Sequence, residues 1–582
     1  MTPPDPTHEA ADNVLQNVNI ASALTTMARE QPDKAAIYLP VGRGPVATRR
    51  YRTLSYAELD ALSNRVASGL LAQGWQAGDR AALMVPPSPE LFGLVFGLYK
   101  AGIVPVMIDP GIGMRRLGRC LAEAQPVGFI GISPAHAVRL VLGWGKPSVK
   151  RLITVGRRWF WGGMTFDQVA AAGSEDAEIA ATDADDVAAI LFTSGATGPP
   201  KGVVYRHRHF AAQVEMIRGM YAIQPGEIDL PTFPLFGLFD PALGMTTVIP
   251  KMDFTRPAKV DPREIIDAAN RFSATNMFGS PALLDTVSRY AELHGQNIST
   301  MCRVISAGAP VRGDILRRTL AMIGEGGKIH TPYGATENLP VASIDAAEIL
   351  GDTASDTARG KGVCVGRPHP RNDVRIIAID DGPLPVWRDD LDVADGEMGE
   401  ITVLGPTTTD TYYGRDRAMA LAKMDHDGGL RHRMGDVGWR DGKGRIWFCG
   451  RKAHRVQTAN GTLFTVQVEG VFNAHPKVRR CALVGIGHSG AQVPVVVLEP
   501  EPGLSKPVRS AIVSELRAMG EGVDVSRGVE HFVWREQLPV DIRHNAKINR
   551  PELARWVTDN NLVPKNVVAA LTSAVALWGG PR

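Results

Sequence analysis

The stretch "LFTSGATGPPKGVVY", residues 191–205, places hydroxyls, glycines, two prolines and one lysine directly behind an apolar run. Residues 187–192 read as a buried strand and "GVVY" as another, so the polar loop joins strand to strand. A nucleotide P-loop requires GxxxxGK[ST] opening onto a helix, and here Gly202 rather than Ser or Thr follows Lys201. The composition fits a phosphate cradle of another kind. Thr193, Ser194 and Thr197 offer hydroxyls, Gly195 and Gly198 let backbone amides approach an anion, and Lys201 supplies charge. The bland alternative is a Gly/Pro connection with a surface lysine.

Outward from this loop the chain alternates helix and strand. In "LSYAELDALSNRVASGLLAQGWQAGDRAALMV", residues 54–85, Ser55 and Glu58 form a capping-box pair, and Leu59, Leu62, Val66 and Leu70 recur at helical spacing. Gly74 ends that helix and "RAALMV" starts a strand. A second unit, "ELFGLVFGLYKAGIVPVMIDP", repeats the order, and strands at "GFIGI", "RLITV", "AAILF", "ATNMFG" and "CRVISAGAP" follow between helices such as residues 262–271 and 281–294. This rhythm predicts an α/β fold of layered subdomains with several parallel strands. After about residue 360 short Gly- and Pro-punctuated strands predict a small β-barrel-like subdomain, and beyond Arg451 strands and helices alternate in an α+β lid of normal domain size. The expected division is a tail over 1–18, a large N-terminal domain over 19–450 and a mobile C-terminal lid over 451–582.

At 582 residues the chain exceeds a single compact core. A net charge of +3 gives no broad basic field, which argues against nucleic acid as a partner. Five scattered cysteines without CxxC spacing fit a reducing cytoplasm. The polar start "MTPPDPTHEAADN" has no apolar core of a secretory signal and reads as a frayed tail. The most apolar stretches are residues 91–108, broken by Lys100 and Gly102, and residues 567–578. Neither supplies the roughly 20 apolar residues of a spanning helix, although peripheral membrane contact stays open.

Four further motifs follow the loop in order. "SAGAPV" covers residues 306–311, "YGATEN" residues 333–338, "RMGDVGWRDGKGRIWFCGR" residues 433–451 and "LPVDIRHNAKINR" residues 538–550. Each has an ordinary reading as turn or surface charge when taken alone. Together with "LFTSGATGPPKGVVYRH" they resemble the adenylate-forming superfamily of acyl-CoA synthetases, luciferases and peptide-synthetase adenylation domains, over roughly residues 20–560. The resemblance implies ATP and Mg²⁺ as cofactors and gives the motif residues their roles. The loop, with Lys201, would hold the β- and γ-phosphates, and Gly308, Ala309 and Pro310 would flank adenine. Tyr333 would stack on the base beside Gly334 and Ala335, with Thr336 at the α-phosphate and Glu337 at the metal. Asp436 and Arg451 would meet the ribose, and Lys547 would be the mobile catalytic lysine.

Three places depart from the superfamily pattern. The hinge position is Ala453 instead of Asp or Lys, with Asn460 where the next turn has glycine. Gly237 in "FPLFGLFDPALG" replaces a ring and would reshape the acyl pocket. "RHNAK" with Arg543 and His544 precedes the lysine. These features are most similar to the β-lactone synthetase branch of bacterial long-chain olefin biosynthesis. The resemblance then implies a long-chain 2-alkyl-3-hydroxy acid as substrate, closed on itself after adenylation, in company with a thiolase-like enzyme, a reductase and a β-lactone decarboxylase. An acyl-CoA or acyl-carrier-protein ligase and a non-catalytic nucleotide-binding subunit remain as alternatives. No base for the 3-hydroxyl is assigned; His207 reads as structural, while His209, Asp240 and His544 are candidates. "GRRWFWGG", residues 156–163, reads as a partly buried turn with a solvated basic edge or as a contact for lipid, acyl chains or a partner enzyme.

Overall fold

The computed structural model describes residues 18–42, 44–193, 199–540 and 547–563, and four sheets organise them. In the eight-stranded sheet the central strands Val104–Ile108, Arg80–Met84, Gly128–Ile132 and Arg151–Val155 run parallel, as buried apolar strands joined by helices must. Val187–Thr193 joins them in parallel, and Lys201–Arg206 returns antiparallel to it, with Thr193 opposite Lys201. The loop of the opening motif is therefore a hairpin connection, as its sequence requires.

The helix Tyr56–Ala72 begins at the expected capping box: Ser55 Oγ accepts from Glu58 N at 3.1 Å and Glu58 Oε2 accepts from Ser55 N at 2.8 Å. It packs on the helix Pro89–Lys100, which is buried from Leu91 onward. Lys100 breaks the apolar run without reaching water. Its Nζ donates to Asp60 Oδ1 at 2.5 Å and Asn64 Oδ1 at 2.6 Å, which offsets the desolvation of a buried cation.

The fourteen-stranded sheet begins as a parallel set, including Ile228–Pro231, Asn276–Phe278, Arg303–Ile305 and Lys328–Ala335. At Asn338–Asp345 it turns antiparallel and continues through Val363–Pro368, Ile446–Arg451, Gly429–Arg440, Gly399–Leu404 and Asp373–Ile377. The β-rich section after residue 360 thus extends the main sheet through one shared ladder. A three-stranded sheet, Val478–Ile486, Val493–Pro500 and His531–Trp534, forms the smaller C-terminal domain with the helices Thr465–Asn473, Lys506–Glu521 and Arg550–Asp559.

Both large sheets aim the carboxyl ends of their parallel strands at one cleft, where ligands bind in open α/β sheets. Segments of the C-terminal domain, among them Thr465, Arg479 and Lys547, line it as well. Arg312 Nη1 donates to the Arg479 carbonyl at 2.7 Å, and a Cβ on Gly450, whose φ is +130°, would stand 2.5 Å from Thr465 Oγ1. Glycine at 450 lets the chain pass from the last strand of the large domain directly beneath the lid.

Candidate active site

The segments that follow the parallel strands line one cavity of about 2780 Å³. Gly308, Ala309 and Pro310 come from the turn after Arg303–Ile305, and Tyr333, Gly334, Ala335, Thr336 and Glu337 from the end of Lys328–Ala335. Lys201 comes from the hairpin, Asp436 and Arg451 from two paired strands, and Lys547 from the C-terminal domain. All of these residues line this cavity, and Thr193 ends the strand Val187–Thr193. Ser194, Gly195, Thr197, Gly198, Arg543 and His544 lie outside the described residues.

Strand register explains how distant residues meet. Asp436 and Arg451 face each other across an antiparallel pair, and Arg451 Nη1 lies 3.0 Å from Asp436 Oδ1. Tyr333 Oη donates to the other oxygen, Oδ2, at 2.6 Å. Burial raises the Asp436 pKa, with Arg451 opposing, and Asp436 in turn raises that of Arg451.

Glu337 follows the strand end, and its backbone carbonyl accepts from Thr409 N at 2.9 Å. Its Oε1 accepts from Tyr412 Oη at 2.6 Å, and the ring of that same tyrosine lies 4.4 Å from Lys201 Nζ. The Thr336 carbonyl accepts from Tyr205 Oη at 2.5 Å. Beneath this corner the buried Lys423 donates to the Thr409 carbonyl, and burial lowers its pKa to about 8, against the pull of Glu337 and Asp410. Tyr412 and Lys423 escaped the sequence reading; the only local signal was the aromatic pair in "TYYGR", residues 411–415. His432 was missed too. It lines the cavity, and its Nδ1 lies 3.1 Å from the Ala422 carbonyl. Since a carbonyl only accepts, Nδ1 carries the proton and Nε2 of the neutral ring is an acceptor. Burial and then Lys423 hold that imidazole neutral.

Of the candidate bases read from sequence, His544 is outside the described residues, while His209 and Asp240 lie elsewhere, as does His207, which reads as structural. His207 Nδ1 accepts from Ile20 N at 3.1 Å, and burial lowers its pKa to about 4. His209 Nδ1 accepts from Arg206 N at 3.0 Å at the start of its helix, and burial lowers its pKa to about 3. Asp240 is buried, accepting from Thr247 Oγ1 at 2.5 Å. None of the three lines the cavity. Gly237 also points away from it: an added Cβ would meet Thr247 Cγ2 at 2.9 Å, inside the sheet. The apolar wall comes instead from residues such as Phe233, Leu235, Phe236, Met252, Phe254 and Phe278.

At the expected hinge position, Ala453 is exposed in a single turn of 3₁₀ helix, Lys452–His454, and the residue before it is anchored. Lys452 Nζ donates to Glu400 Oε2 at 2.9 Å and to the Asp380 carbonyl at 2.6 Å. Glu400 is 1% exposed and also accepts from Arg433 Nη2 at 2.7 Å. Asn460 precedes Gly461 in the hairpin Val456–Thr458 and Gly461–Leu463, so the glycine is displaced by one residue.

The family described as AMP-binding enzyme matches residues 24–413. An olefin beta-lactone synthetase of Xanthomonas campestris is 52% identical over 94% of this chain and 98% of its own length. One from Stenotrophomonas maltophilia is 51% identical over 93% and 98%. Among solved structures, ATP-bound MatB from Rhodopseudomonas palustris shares the fold, with a TM-score of 0.74 and 23% identity over 93% of this chain and 99% of that one. With a cavity at the carboxyl ends of both sheets and this match across most of its length, the chain belongs to the AMP-binding enzyme family.

Proposed function

We propose that this protein adenylates a long-chain 2-alkyl-3-hydroxy acid with ATP and closes the product to a β-lactone, releasing AMP and diphosphate. The observation that carries the reading is that Lys547 of the lid shares one cavity with Lys201, Glu337, Asp436 and Arg451 and with a broad apolar wall. The near full-length relatives named olefin beta-lactone synthetase support the choice of product. We take the lid to begin at Arg451 and the setting to be cytoplasmic, with the other enzymes of such a pathway as partners. Among the described residues no helix is long and apolar enough to cross a membrane.

In the first step a carboxylate oxygen of the acid attacks the α-phosphorus and diphosphate leaves. Two unit charges about 4 Å apart repel by roughly 4 kcal/mol at an effective dielectric near 20, so cations must converge there. Lys547 reaches the substrate carboxylate and α-phosphate, Thr336 contacts the same phosphate, and Lys201 with its loop takes the β- and γ-phosphates. Tyr333 stacks on adenine beside Gly308, Ala309 and Pro310, while Asp436 and Arg451 take the ribose hydroxyls. Glu337 suits Mg²⁺. No cluster of three His, Cys, Asp or Glu side chains is arranged for a metal among the described residues, and one carboxylate beside a phosphate cradle matches that ion's habit of binding through substrate phosphates and water. When bound, Mg²⁺ would neutralise phosphate charge; Tyr412 fixes the carboxylate that holds it.

In the second step the 3-hydroxyl oxygen attacks the acyl carbon, the acyl–phosphate bond breaks, AMP leaves and the hydroxyl proton is released. The nucleophile is already tethered, so the apolar wall has only to fold the substrate into attack geometry. A tied hinge residue before Ala453 fits a reaction that needs no incoming thiol.

The test mixes enzyme, Mg·ATP and a 2-alkyl-3-hydroxy acid with and without coenzyme A. Diphosphate, AMP and lactone in equal amounts without thiol are expected, and Lys547→Ala should bind ATP yet lose adenylation about a hundredfold or more. A thioester product with a strict thiol requirement would overturn the reading.

A further inference from the structure

Between Asp109 and Asp167 the chain holds nine lysines and arginines and a single acid, Glu123. That acid is engaged: Arg415 grips it through Nε at 2.9 Å and Nη2 at 2.5 Å. Seven of the nine cations, including Arg115, Arg116, Arg157 and Arg158, are exposed, and none of the seven forms an ion pair among the described residues. The same stretch contains six of the thirteen large hydrophobic side chains left exposed among the described residues: Met114, Leu140, Val141, Leu142, Trp159 and Phe160. Phe160 is 85% exposed and Val141 83%.

These side chains belong to one built surface. The helix Met114–Ala124 turns Leu117, Cys120 and Leu121 inward and Met114, Arg115, Arg116 and Arg119 outward. Its Gly118 lies so close to Trp144 that an added Cβ would stand 2.8 Å from the indole nitrogen. Trp144 follows the helix Ser133–Leu142, whose His136 ring stacks on Trp161 at 5.2 Å. Trp161 is buried, whereas Trp159 and Phe160 stand out around it, with ring centres 5.3 and 5.5 Å away. "GRRWFWGG" is thus partly buried with a solvated basic edge: Trp161 is covered, while Trp159, Phe160, Arg157 and Arg158 are exposed.

We propose that this face docks on an anionic lipid bilayer. Protruding aromatic and aliphatic side chains can enter the boundary between headgroups and acyl chains, while surrounding cations meet headgroup phosphates. A protein partner would have to match seven separate charges with acids at fixed places. A lipid leaflet supplies negative charge without fixed positions, which suits cations held in no ion pair among the described residues. The helix that carries Arg115 and Arg116 outside places Leu117 on the cavity wall, and Ile132 and Ala135 from the next strand–helix junction join it there. A water-insoluble acid could pass from the leaflet along this apolar arm. That second step rests on the function proposed above, whereas docking itself does not.

The test uses the full chain without nucleotide or acid, sedimented with vesicles of phosphatidylglycerol and phosphatidylcholine or of phosphatidylcholine alone. Binding to the anionic vesicles, lost at high salt, is expected. Arg115→Glu/Arg116→Glu and Val141→Ser/Phe160→Ser should each weaken it about tenfold or more, with thermal unfolding and ATP–diphosphate exchange on a short soluble acid unchanged. No binding to anionic vesicles at low ionic strength, undiminished binding by both variants, or an effect confined to self-association would overturn the proposal. An error in the assigned product would show only in the lactone assay and leave the vesicle result standing.

Discussion

Lys201 Nζ stands 4.4 Å from the centre of the Tyr412 ring. The hydroxyl of that ring donates to Glu337 Oε1 at 2.6 Å, so one buried side chain positions both the candidate phosphate cation and the candidate metal carboxylate. Tyr412→Phe keeps the ring and removes the hydrogen bond, and a bond to a charged acceptor contributes about 1.5–3 kcal/mol. The Mg²⁺ concentration for half-maximal ATP–diphosphate exchange should rise about tenfold, with a small change in ATP affinity. Tyr412→Leu also removes the ring beneath Lys201, an interaction of about 0.5–2 kcal/mol, and should raise the ATP KM further. An unchanged Mg²⁺ dependence in a folded Tyr412→Phe protein would detach Tyr412 from the metal carboxylate.

Gly237 offers a sharper check on the acyl pocket. A Cβ there would meet Thr247 Cγ2 at 2.9 Å and Pro231 Cγ at 3.2 Å, so Gly237→His should overpack the sheet and destabilise the protein by about 1–3 kcal/mol. Phe236→Ala, one residue earlier on the cavity wall, should instead shift the preferred acyl length upward with adenylation retained. Denaturant unfolding and a series of acid chain lengths measure the two effects. A chain-length shift from a folded Gly237→His protein would return the sequence-based expectation.

The contrast between these residues shows what the sequence could carry. Ser55 and Glu58 announce their helix because both partners of the capping box lie within four residues, and the hairpin at Lys201 follows from two short apolar runs. The motif residues were legible because each motif places its side chains on one turn at a strand end. Tyr412 was not, since its partners Glu337 and Lys201 are 75 and more than 200 residues away and only strand pairing brings them together. Gly237 was misread for a related reason: a one-dimensional pattern gives its position in the loop and not the direction of its missing Cβ.

The pair Lys452–Glu400 ties the expected hinge turn to the large domain at 2.9 Å. Lys452→Ala leaves Glu400 paired with Arg433, so the fold should survive while the turn before Ala453 loosens. Limited proteolysis between the domains should quicken several-fold and adenylation slow modestly. Glu400→Gln should behave differently, because it leaves two cations around a buried neutral group, a loss of about 3–5 kcal/mol visible in denaturant unfolding. Equal stability of the two variants would mean that the carboxylate does not organise the cluster.

Lys423 gives a pH-dependent signature. Burial pulls its pKa to about 8, while Glu337 and Asp410 act against that shift; in an unfolded chain the value is about 10.4. Between those limits the unfolded chain binds a proton that the folded protein has released, so this group makes stability rise with pH across that window. Below the window the full desolvation penalty is present, and above it the penalty has gone. Lys423→Met abolishes the titration, so the mutant's stability relative to the wild type should fall by roughly 3 kcal/mol between about pH 7 and about pH 10.5. Urea unfolding of both proteins at several pH values measures the difference. A pH-independent difference would mean that Lys423 stays charged throughout, with the attraction of Glu337 and Asp410 outweighing burial.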